Sequence, residues 1–118
     1  MKNLQNNFTT PEQSNRLLEL DVPADSADFY YDKDEVEIDE ITHPYILPFN
    51  RKFSNYNDMF YLPCWSVGRL MEICKICEPK KEYEQLCEEL QYSQNYCVVI
   101  ISHIIANLQV IDFSKLDD

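Results

Sequence analysis

Residues 96–111, YCVVIISHIIANLQVI, are the most apolar run in the chain and decide how the rest must be arranged. At about 100° per residue, Cys97, Ile100, Ile101, Ile104, Ile105, Leu108 and Ile111 fall on one broad face, with Ser102 and Gln109 well off it. The β-branched cluster 98–101 favours a strand locally, but the run is too long for one and is broken by polar residues at helical spacing. A membrane span needs about 20 mostly apolar residues, and Ser102, His103, Asn107 and Gln109 interrupt this one. The spacing therefore predicts a core helix over 96–111, and no membrane partner is expected. Val99, Ala106 and Val110 form a second, narrower apolar stripe, which motivates a homodimer through this helix.

Around that helix, 118 residues with 45% hydrophobic content suffice for one domain with a real core, preceded by a flexible tail at 1–8. The formal net charge of −11 disfavours direct contact with nucleic acid or anionic membrane and favours basic partners. The charge is concentrated: ten acids between Glu19 and Glu40 face Lys33 alone. MKNLQNNFTT at the amino terminus has no apolar segment of signal-peptide length, so a cytoplasmic location is expected. The five cysteines (Cys64, Cys74, Cys77, Cys87 and Cys97) lie in or beside apolar helical pattern and read as reduced, mostly buried small hydrophobes. Gly68 is the one glycine, which excludes glycine-rich phosphate loops.

Before the core helix, Thr10-Pro11-Glu12-Gln13 is a helix start with a capping box, predicting a helix over 11–20 that Pro23 cannot continue. Phe29-Tyr30-Tyr31, then Asp32-Lys33-Asp34, then Glu35-Val36-Glu37-Ile38-Asp39 reads as a β-hairpin with Val36 and Ile38 facing in. A third strand is expected at 59–62, after a long irregular connection over 43–58. Ser66 caps a central helix whose outward stripe is Arg69, Glu72 and Lys75. A helix over 79–92 follows, and Ser93 is placed to cap the last one. The fold class is α+β: an N-terminal helix, a small antiparallel β-sheet (hairpin plus third strand) and three C-terminal helices, the first and last forming the core.

TTPEQSNRLLEL (9–20), VPADSAD (22–28), CWSVGRLMEI (64–73) and IDFSKL (111–116) together resemble a group of small uncharacterised proteins of gut anaerobic bacteria and their phage-like mobile elements. The resemblance implies no activity. It does imply glycine where Asp21 stands here, at the exit of the first helix, a position that often takes the left-handed conformation.

No catalytic motif survives a physical check, and no cofactor is expected. Cys74 and Cys77 form a C-x-x-C pair, but at the carboxy-terminal end of a helix, where the dipole opposes a thiolate. Zinc would need two further ligands drawn from Cys64, Cys87, Cys97, His43 or His103. Asp32-Lys33-Asp34 starts like a calcium loop, yet Glu37 stands where that loop's turn wants glycine. The acids Asp32, Asp34, Glu35, Glu37, Asp39 and Glu40 instead read as a surface for a protein partner. Beside them come the aromatic and basic residues of the connection, Tyr45, Phe49, Arg51, Phe53 and Tyr56. The expected function is that of a non-enzymatic acidic interaction protein of a mobile element. The alternatives are a metal-binding protein or enzyme with a site assembled from His and Cys, and a nucleic-acid-mimicking inhibitor of a DNA-binding protein.

Overall fold

The structure, a computed structural model, describes residues 7–38, 43–47 and 60–117. Helix α1 (Pro11–Glu19) begins with the expected capping box: Gln13 N–H donates to Thr10 Oγ1 at 3.1 Å, and Thr10 N–H donates to Gln13 Oε1 at 2.9 Å. Its exit is a Schellman motif. Val22 N–H donates to the Leu17 carbonyl and Asp21 N–H to the Leu18 carbonyl, with Asp21 at φ 70° in the left-handed region. Leu17 and Val22, the apolar pair that accompanies this motif, are both buried.

A 3-10 turn (Ala24–Ser26) leads into strand β1 (Phe29–Asp32), the centre of an antiparallel sheet with β2 (Tyr45–Ile46) on one side and β3 (Tyr61–Cys64) on the other. Tyr30 lies opposite Tyr45 and Pro63, Tyr31 opposite Leu62, and Asp32 opposite Tyr61. Alternation sends Tyr31, Leu62 and Cys64 into the core and leaves Tyr30, Tyr45 and Tyr61 on the other face.

The expected hairpin does not form. Residues Lys33–Glu37 are a short helix, α2, because Asp32 Oδ1 accepts the Asp34 N–H at 2.8 Å and Asp34 and Glu35 complement the positive end of the turn. Val36 is half-buried, and Ile38 is 61% exposed rather than facing in. The partners of β1 come from farther along the chain, including Tyr45–Ile46 in the connection expected to be irregular. Phe8, assigned from sequence to the frayed tail, bridges Ser66 and packs edge-on against Phe29 at 4.7 Å, so the chain is anchored from there.

Helix α3 (Val67–Cys77) carries the Ser66 cap, its Oγ accepting the Arg69 N–H at 3.1 Å. Helices α4 (Lys80–Leu90) and α5 (Tyr96–Ala106) follow. Both stop before their expected ends. Helix α5 ends because Asn107 Nδ2 donates to the His103 carbonyl at 2.8 Å, which diverts the chain into a 3-10 turn, Leu108–Val110. Ser93 is not its cap. Ser93 Oγ accepts the Asn95 N–H, and Asn95 is the N-cap without a side-chain bond. A last 3-10 segment (Phe113–Asp117) folds back on α3, with Asp112 N–H donating to the Cys77 carbonyl at 2.8 Å.

The core joins Leu17, Leu18, Tyr31, Leu62 and Trp65 to Leu70, Ile73, Cys74 and Cys77 of α3, and to Cys97, Ile100, Ile101 and Ile104 of α5. Helix α4 contributes Leu86. Helices α3 and α5 thus supply most of the helical core, and α4 covers one flank.

Candidate interaction surface and buried polar pair

A side-chain contact ties helix α2 to the open face of the sheet. Tyr45 Oη donates to both carboxylate oxygens of Glu35, at 2.8 and 3.1 Å. That bond raises the Tyr45 phenol above its ordinary pKa, since ionising it would place two anions together. Behind it the rings pack in a row. Tyr30 meets Tyr45 at 5.5 Å and Tyr61 at 4.9 Å, Tyr61 meets Phe60 at 6.3 Å, and His43 stands edge-on to Tyr45 at 5.4 Å. Asp34 and Glu37 are exposed, as are the large apolar side chains Ile38 and Phe60. An acidic edge and an aromatic, partly apolar face therefore adjoin.

Of the acids and aromatics expected to form a surface, Asp32, Asp34, Glu35, Glu37 and Tyr45 are brought together here. Asp39, Glu40, Phe49, Arg51, Phe53 and Tyr56 lie outside the described residues. Tyr30 was missed as a surface member. The alternation along β1, which sends Tyr31 inward, marks Tyr30 as outward.

A second polar arrangement lies inside. Glu78, which follows α3, and His103 of α5 have side chains 0% and 2% exposed, and His103 Nε2 sits 2.9 Å from each Glu78 oxygen. When Glu78 is ionised its oxygens only accept, and the hydrogen between the two side chains is then on Nε2. Burial pushes the Glu78 carboxyl above its ordinary pKa, while the hydrogen bond and charge of His103 pull the other way. At the other side of the ring, Asn107 Nδ2 is 3.3 Å from Nδ1 and Glu89 Oε1 is 3.8 Å from it. His103 is thus a hydrogen-bonded histidine enclosed in the interior. Above the ring runs a groove of about 300 Å³ between α4 and α5, lined by Gln85, Glu89, Val98, Val99, Ser102, Ala106 and Asn107. The second apolar stripe of α5 is divided: Val99 and Ala106 border this groove, and Val110 is 46% exposed.

All five cysteines are free thiols, and all but half-buried Cys87 are buried. Burial raises the Cys64 thiol to about 12 and the Cys97 thiol to about 11, and lifts Cys74 and Cys77 as well. His43 is exposed, its Nδ1–H donating to the Pro44 carbonyl at 3.0 Å. Among the described residues, no three His, Cys, Asp or Glu side chains converge as a metal site would require. Within the same residues, no helix is long and apolar enough to cross a membrane.

Comparison of the chain with protein-family models, with curated proteins and with solved structures finds no match.

Proposed function

We propose that this chain is a non-enzymatic interaction protein that binds a basic protein partner, using the acidic helix α2 and the tyrosine face of the sheet as one surface. The observation that carries the reading is the Tyr45–Glu35 bond, which holds a negative edge against a row of packed aromatic rings. Such a surface suits Lys and Arg side chains: carboxylates take the charge, and ring faces take the guanidinium or ammonium by cation–π attraction. The net charge of −11 adds long-range attraction for a cationic partner. The resemblance of its sequence segments supports placing this protein in a mobile element, acting in the cytoplasm of its host.

The test is affinity capture from that host with the parent protein beside a double variant, Glu35→Gln with Glu37→Gln, and a separate Tyr45→Phe variant, each at low and high salt. The expected result is a basic protein held by the parent, released by salt and lost from the double variant. Equal capture by all three, or none by the parent, would reject the reading. A captured DNA-binding protein would favour the nucleic-acid-mimic form of it. Sedimentation of the parent in the same buffer reports whether the exposed side of α5 pairs two copies.

A further inference from the structure

Tyr45 Oη stands in front of the Glu35 carboxylate rather than to one side of it. Its distances to the two oxygens, 2.8 and 3.1 Å, are nearly equal. A donor on the outer flank of one oxygen would be out of hydrogen-bond reach of the other, so the hydroxyl sits at the open end of the carboxylate fork. A guanidinium takes that same place when it binds a carboxylate through two parallel N–H bonds. The sheet keeps the place filled. Tyr45 is paired with Tyr30 across the antiparallel ladder, and its ring packs against Tyr30 at 5.5 Å and against His43 at 5.4 Å. Glu35, Tyr45 and Tyr30 are each half-buried, so the outer edge of the carboxylate and parts of both rings face solvent.

We propose that this closed fork makes the surface select lysine over arginine in its partner, a specificity that presupposes the basic-partner function given above. With the fork taken, a cation meets Glu35 only at the outer side of an oxygen, through one N–H. Arginine owes its usual advantage at carboxylates to a planar pair of donors, and here that pair has no matching pair of acceptors. A guanidinium lying on a tyrosine ring still reaches Glu35 with a single N–H. An ammonium is a compact charge with three rotatable donors, so it gives one N–H to the outer oxygen and sets the rest of its charge against the ring of Tyr45 or Tyr30. The hydrogen bond works in the same direction a second time. A phenol that donates to a carboxylate is polarised toward its ring, which strengthens the attraction between that ring and a cation. Tyr45 is therefore the specificity-determining residue, acting through the carboxylate it occupies.

The test is calorimetric titration of the full chain at low salt with two probes, a lysine homopeptide and an arginine homopeptide of equal length. Asp34 and Glu37 are exposed and bind both probes before and after a change at Tyr45, so the deciding quantity is the ratio of the two affinities. Tyr45→Phe keeps the ring and opens the fork. It should move the ratio toward arginine by about threefold, the scale of one additional exposed charge contact, and adding Glu35→Gln should cancel that gain. Glu35→Gln alone, a change on the surface of a short helix, should weaken both peptides by the same factor, because neither used the fork. A ratio that Tyr45→Phe leaves in place, or a loss on Glu35→Gln that falls mainly on the arginine peptide, would overturn lysine selection and leave the basic-partner function standing. Binding of neither peptide to the parent would overturn both.

Discussion

Thr9 and Trp65 bind each other twice. The Thr9 N–H donates to the Trp65 carbonyl at 2.9 Å, and the Trp65 N–H donates to Thr9 Oγ1 at 3.1 Å. The Thr9 hydroxyl also meets Ser14 Oγ at 2.8 Å, and the Thr9 carbonyl accepts the Tyr31 hydroxyl at 2.6 Å, so one fully buried residue ties α1 and the sheet to the start of α3. Thr9→Val keeps the shape and removes the hydroxyl, orphaning the Trp65 N–H. A loss of about 1–3 kcal/mol in urea denaturation is expected, with Thr9→Ser recovering most of it. Equal stability of the valine variant would mean that water replaces the hydroxyl.

Asp21 holds the left-handed position of the Schellman motif, at φ 70°. That conformation costs a non-glycine residue roughly 1–2 kcal/mol, and Asp21 is exposed, with no packing to lose. Asp21→Gly is expected to raise stability by about 1 kcal/mol in the same assay, and Asp21→Ala to leave it flat or lower it. A destabilised glycine variant would show that unfolded-chain entropy outweighs the strain.

The Glu78–His103 pair sets a pH dependence whose sign follows from burial. Glu78 is raised when folded, so its proton is held more tightly there than in the unfolded chain, and its contribution is present below the ordinary carboxylate range and fades as pH rises through the raised value. Glu78→Gln abolishes that fade, so the stability difference should move in favour of the variant across this window and then level. A difference that stays constant with pH would contradict the assignment. His103→Ala, by contrast, strands a buried carboxylate and should cost about 3–5 kcal/mol near neutrality.

Native thiol labelling separates a core role for the cysteines from a catalytic one. With Cys64 at about 12, Cys97 at about 11 and Cys74 and Cys77 raised, little thiolate exists in the buried set near pH 8. Brief alkylation followed by mass spectrometry should modify Cys87 first and the other four only in denaturant. Fast native labelling of Cys74 or Cys77 would reopen the redox reading of that pair.

What could be read in the sequence was whatever short-range chemistry dictates. The Thr10 box, the Ser66 cap and the apolar face of α5 each depend on residues within a turn of one another, whereas the left-handed site at Asp21 was implied by the resemblance. The misreading at 33–38 has the same cause. Alternation over Glu35–Ile38 resembled a strand, while the single bond from Asp32 to the Asp34 N–H was enough to start a helix instead. Partnerships across distance were invisible. Nothing near Phe29 indicates that it pairs with Cys64, and nothing near His103 indicates Glu78. The acidic half of the proposed surface was therefore legible from composition, whereas its tyrosine half needed the register of the sheet.

Helix α3 is closed at its start by Thr9 and at its finish by Asp112, segments that lie nearly the whole described chain apart. On the ribosome, the amino-terminal clamp can form once Trp65 has emerged, but the Cys77 carbonyl waits for Asp112. Synthesis at about 5–20 residues per second makes that wait a matter of seconds, during which the apolar side of α3 has no lid. Chaperone dependence of expression should accordingly be sensitive to changes near Asp112 and indifferent to those at the Thr10 cap.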